Sequence, residues 1–70
     1  MLKTIIETIR IERLRRKMTL KELSVASTVS VKQICDIENE KANPSLNTLD
    51  KLARPLGLKI KVEIVSEAEG

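Results

Sequence analysis

Leu2, Ile5, Ile6 and Ile9 recur at three- and four-residue steps, which predicts a first helix with one apolar face running to about Lys17. Ile11 and Leu14 fall off that face. Thr19 followed by Glu22 has the spacing of a capping box, so a second helix is expected to start at Leu20, with Leu20, Leu23 and Ala26 inward. Ser27, Thr28 and Ser30 then crowd together as turn and cap residues, and Ser30 is placed to cap a third helix from Val31 to about Asn39. Ile34 and Ile37 mark the inner face of that helix. At 100° per residue, Lys32, Cys35, Asp36 and Asn39 cluster on the outer one. Asn43-Pro44-Ser45 separates it from a fourth helix carrying Leu46, Leu49, Leu52, Ala53 and Leu56, and Pro55 is expected to end the regular part near Arg54.

Beyond Leu56 the period changes from helical to alternating. Leu58, Ile60, Val62 and Ile64 are interleaved with Lys59, Lys61 and Glu63, the spacing of a strand. Nothing else in the chain reads as a strand. Its simplest partner is therefore the same segment of a second copy, antiparallel about Val62, which sets Lys61 against Glu63 and Ile60 against Ile64. The expected organisation is a helical domain over 1–57, a dimerisation strand over 58–65 and a polar, flexible tail over 66–70.

Two short helices over Thr19 to Ile37, set at an angle with the second one exposed, form a corner suited to the DNA major groove. Charge is consistent with an anionic partner. Residues 1–18 hold six basic and two acidic side chains, whereas the rest of the chain is close to balanced, so the net +3 sits around Arg10, Arg13, Arg15, Arg16 and Lys17. Cations also complement the C-terminal end of a helix, and the run by itself fits either reading. The chain has no Phe, Tyr or Trp, which favours an aliphatic helix-on-helix core and disfavours RNA or single-strand binding by base stacking. With one cysteine, Cys35, and no histidine, neither an internal disulfide nor the usual zinc ligand sets can be assembled. No metal or other cofactor is expected, and no nucleophile-base pair suggests an enzyme. Lys3, Glu7 and Arg10 interrupt the apolar run that a signal peptide or membrane span would need, which points to a cytoplasmic protein without a membrane partner.

Over roughly residues 9–58, from IRIERLRRKMTLKELSVASTVSVKQICDIENEK to ANPSLNTLDKLARPLGL, the chain resembles the Cro/CI-type, or XRE, helix-turn-helix family. The carrying residues are Thr-x-x-Glu-Leu from Thr19, the cap Ser30, Ile34, Ile37-Glu38-Asn39, Lys41 and Asn43-Pro44-Ser45. The resemblance implies a mainly α, lambda-repressor-like domain of four to five helices. It also implies an ion pair between Arg13 and Glu38, and base reading by Ser30, Val31, Lys32, Gln33 and Asp36. Lys32 would donate to guanine, Asp36 would accept from cytosine N4, and Val31 would touch a thymine methyl. Thr28, Asn39, Lys41, Arg15 and Arg16 are assigned to phosphates.

Three residues depart from the family pattern. Leu20 replaces a usual glutamine, removing a polar contact. Thr28 stands where glycine is usual, which predicts a remodelled turn because a β-branched residue suits positive φ poorly. Glu40, also in place of glycine, puts a carboxylate near the expected phosphate path.

The segment LGLKIKVEIV is similar to the C-terminal strand of HipB- and HigA-like antitoxins, where the strand pairs across the dimer. The resemblance therefore implies a homodimeric repressor acting on an inverted-repeat operator and, as an antitoxin, neutralising a partner toxin and autoregulating its operon. A free-standing phage or mobile-element repressor is the alternative. A protein-only toxin inhibitor with a vestigial DNA face, using Ile11 and Leu14 for contact, is a further one.

Overall fold

In a computed structural model, which describes residues 2–61, the chain forms four α-helices in sequence: α1 (Leu2–Arg15), α2 (Leu20–Ser27), α3 (Val31–Glu38) and α4 (Leu46–Ala53). A single 3-10 turn, Arg54–Leu56, continues α4 and carries Pro55 in its first turn, where the missing N–H is of no consequence. Each of the three later α-helices starts on a side-chain cap. Thr19, Ser30 and Ser45 accept from the backbone N–H of Glu22, Gln33 and Thr48, respectively. At Thr19 the box is complete, because the Glu22 carboxylate also accepts from the Thr19 N–H at 2.8 Å.

The helices close on one aliphatic core. Ile6 and Ile9 come from α1, Leu23 from α2, Ile34 and Ile37 from α3, and Leu49, Leu52 and Ala53 from α4, with Leu56 beneath the 3-10 turn. Ile5, Met18, Leu20, Leu58 and Ile60 pack around its edge. No helix among the described residues is long and apolar enough to cross a membrane.

Four expectations need correction. The first helix stops at Arg15, not near Lys17: Lys17 lies at φ 54, and the Lys17 and Met18 N–H groups return to the Leu14 and Arg13 carbonyls in a Schellman motif. On α2 the inward residue is Ser27, not Ala26, which is exposed. The stripe Leu20, Leu23, Ser27 follows the three- and four-residue steps of a helix, and Ala26 lies off it. Leu46 is exposed, because as the first residue of α4 it precedes the turn that reaches the core.

The fourth correction concerns the strand. Residues 58–61 take neither helix nor strand form, and Val62, Glu63 and Ile64 lie outside the described residues. A lone segment has no ladder to join, so Leu58 and Ile60 instead lie half-buried against the core, while Lys59 and Lys61 face solvent. Alternation survives in burial, although no strand is formed among the described residues.

Candidate nucleic-acid interface

The corner between α2 and α3 is fixed by three successive residues. Thr28 adopts the left-handed conformation, φ 64 and ψ 16, and its N–H closes onto the Ser24 carbonyl. The turn is therefore not remodelled at the glycine position: the β-branched residue accepts the strained region, and its hydroxyl donates to the Ser27 carbonyl. Val29 is then driven into the core, and the buried Ser27 hydroxyl oxygen accepts from the Val29 N–H at 3.2 Å. Ser30 follows as the extended cap of α3.

This geometry leaves Ser30, Val31, Lys32 and Gln33 all exposed at the opening of α3, while Ile34 and Ile37 are completely or almost completely buried behind them. Asp36 lies one turn further on the same outer side, half-buried, and its carboxylate accepts from the Lys32 ammonium at 2.9 Å. That hydrogen bond, followed by the charge of Asp36, raises the Lys32 pKa above its ordinary value. Four of the five residues assigned to base reading are therefore exposed around the first turn of α3, and Lys32 and Asp36, four residues apart on one side, are joined as an ion pair. Cys35 is half-buried beside them, and the Asn39 amide donates to its sulfur at 3.3 Å.

The far end of α3 is held by Arg13. Its Nε and Nη2 donate to the two Glu38 carboxylate oxygens at 2.8 and 2.9 Å, and its Nη1 donates to the Met18 carbonyl at 2.9 Å. Both side chains are nearly out of water, at 10% and 8% exposure. Hydrogen bonding to Glu38 raises the Arg13 pKa further against the opposing effect of burial. The guanidinium thus ties α1 to α3 and to the chain leaving α1.

Residues assigned to phosphates are all on the surface, in differing states. The backbone and hydroxyl donors of Thr28 are already engaged within the turn. Asn39 and Lys41 are exposed at the end of α3, where the Glu40 and Lys41 N–H groups close a second Schellman motif onto Ile37 and Asp36. Glu40, at φ 59, takes its glycine-like place. Arg15 and Arg16 instead converge on Glu12, which accepts from Arg15 Nε and Nη2 and from Arg16 Nε. These bonds, Arg15's first, hold the Glu12 carboxyl at about 2. The Arg16 guanidinium also lies over Gly57, 3.1 Å from where a β-carbon there would be.

Sequence reasoning missed three participants: Val29, Glu12 and the bond between Lys32 and Asp36. The last two had a signal in the three- and four-residue spacing of opposite charges. Val29 had none in helical periodicity, because it belongs to the turn.

A helix-turn-helix family model matches residues 9–62, from the second half of α1 past the 3-10 turn. The chain is 33% identical over 64 residues to the immunity repressor protein of Bacillus phage phi105, covering 91% of this chain and 44% of that protein. It is 37% identical over 54 residues to the HTH-type transcriptional regulator DdrOP3 of Deinococcus deserti, covering 77% of this chain and 42% of that regulator. The chain thus spans less than half the length of these curated relatives. No solved structure matches it with comparable significance. The family match takes in the cap at Thr19, the left-handed corner at Thr28 and the helix it presents, and the chain belongs to the XRE-type helix-turn-helix family.

Proposed function

We propose that this protein is a sequence-specific, double-stranded-DNA-binding transcriptional repressor that acts as a homodimer on an inverted-repeat operator. The observation that carries this reading is the opening of α3, where Ser30, Val31, Lys32 and Gln33 are exposed together on a helix whose inner residues, Ile34 and Ile37, are locked in the core. A helix anchored in this way enters a major groove with its first turn against base edges. Repression is supported by the name of the phage relative, an immunity repressor, and transcriptional regulation by that of the second relative.

Residues 58–65 supply the dimer contact. The alternation of Leu58, Ile60, Val62 and Ile64 with Lys59, Lys61 and Glu63 in the sequence supports this assignment. Two copies related by that axis present their α3 helices to successive grooves about 34 Å apart. The antitoxin role rests on the LGLKIKVEIV segment, whereas the phage-type repressor role rests on a relative matched along most of the chain. The second is the better supported setting.

The test is selection of bound duplexes from a random-sequence library, followed by competition between selected and scrambled DNA at one salt concentration. An inverted repeat bound far more tightly than its scramble is expected, and equal affinities refute the proposal. Sedimentation is expected to give a dimer that a chain ending at Leu58 converts to monomer, since the pairing segment is then removed. Co-purification with the product of an adjacent gene, with no DNA selected, would instead favour the protein-only inhibitor.

A further inference from the structure

The ion pair on the outer face of α3 has the donor–acceptor pattern of one base-pair edge. Lys32 Nζ lies 2.9 Å from Asp36 Oδ2, and the two side chains remain 86% and 34% exposed. In the major groove a G·C pair presents guanine N7 and O6 as acceptors beside the cytosine N4 donor. Guanine O6 and cytosine N4 are themselves hydrogen-bonded, so they sit at the ordinary N–H···O separation of about 2.9 Å. Donor and acceptor on the protein thus match acceptor and donor on the base pair in both order and spacing.

We propose that Lys32 and Asp36 read a single G·C base pair as a joined unit, with Asp36 as the residue that sets the orientation of that pair. The inference rests on the DNA-binding reading above and deepens it. The two side chains need not separate to do this. An ammonium has three donors, and one bond to Asp36 leaves two for guanine O6 and N7; the carboxylate keeps lone pairs for the free N4 hydrogen of cytosine. C·G and A·T fail against this order, whereas T·A, whose O4 acceptor and N6 donor stand in the same order, loses only the guanine N7 contact and sets a methyl there. Reversal to C·G sets Lys32 against N4 and Asp36 against O6, and A·T sets Asp36 against the O4 acceptor of thymine. Because its charges cancel, the unit also adds little attraction for phosphates. Its contribution is therefore to discrimination and not to general affinity.

The experiment is duplex selection with the intact protein, its Asp36→Ala variant, and the exchanged variant Lys32→Asp with Asp36→Lys. The exchange keeps a four-residue ion pair on an exposed face and places the acid nearer the helix N-terminus, which favours the fold. Circular dichroism melts verify folding. The parent is expected to prefer G·C at one position of each half-site, with T·A second there and reversal to C·G costing roughly tenfold to a hundredfold in affinity. Asp36→Ala is expected to weaken the orientation preference there, leaving only the part that Lys32 reads at guanine O6 and N7, while binding scrambled duplex more tightly. The exchanged variant is expected to select C·G at the same position. Unchanged discrimination in Asp36→Ala, an unchanged base pair in the exchanged variant, or a parent operator with no such position overturns the inference while leaving the repressor reading in place. A parent that selects no sequence overturns the DNA-binding reading itself.

Discussion

Replacing Arg13 by alanine removes the one guanidinium that joins α1 to both the carboxylate of Glu38 and the Met18 carbonyl. Glu38 would then keep its charge at 8% exposure without its partner. Breaking a buried pair from one side costs about 3–5 kcal/mol, most of it the desolvation of the abandoned charge. A domain of this size has only about 4–10 kcal/mol of total stability. The lower figure is the better choice because a tenth of the Arg13 side chain still reaches water.

At roughly 4–8 °C of melting temperature per kcal/mol, Arg13→Ala should melt at least about 12 °C below the parent in a calorimetric or circular dichroism scan. Arg13→Lys should fall between the two, since an ammonium cannot hold both carboxylate oxygens in a planar fork. The double variant Arg13→Met with Glu38→Leu should recover most of the loss, because neither charge is then buried alone. A drop of less than about 4 °C for Arg13→Ala would refute the reasoning, showing that the pair behaves as a solvated surface bridge.

Three further outcomes are expected. Glu40→Gly should raise the melting temperature by a few degrees, since Glu40 sits at φ 59, where an L-residue costs about 1–2 kcal/mol and glycine recovers part of that after its own entropy; an unchanged or lower value in a thermal melt would count against it. Thr19→Ala should cost about 0.5–2 kcal/mol in urea unfolding by removing the cap of α2, and no measurable change would show that the box is dispensable. Glu12 has a folded pKa of about 2 against an ordinary 4.5, so its contribution is complete above about 4.5 and disappears as pH falls towards 2. Stability measured across that window should fall less steeply in Glu12→Gln, and identical slopes would refute the assignment.

Where the chemistry is local, the sequence was readable. Thr19 and Glu22, Ser30 and Gln33, and Ser45 and Thr48 lie three residues apart, and each pair fixes a helix start through a bond made within one turn. The spacing of Ile34 and Ile37 similarly set which side of α3 faces outward, and thereby the side that carries Lys32 and Asp36. Resemblance supplied the pairing of Arg13 with Glu38, which no local pattern contains because 25 residues separate them.

By itself, then, the sequence determined the helix order, the caps and the inner and outer sides of α3, while the set opening with Ser30 came from the resemblance. The former depend on backbone bonds and periodicities that span three or four residues. Only the tertiary structure decided that Ser27 and Val29, not Ala26, fill the corner, and that Thr28 tolerates a left-handed turn. It also decided that Arg15 and Arg16 converge on Glu12, and that Lys32 and Asp36 face the solvent as one neutral unit. The physical reason is competition. A helical period states which residues share a side, but which of several neighbours wins the buried place or the available carboxylate is settled by packing the helices together.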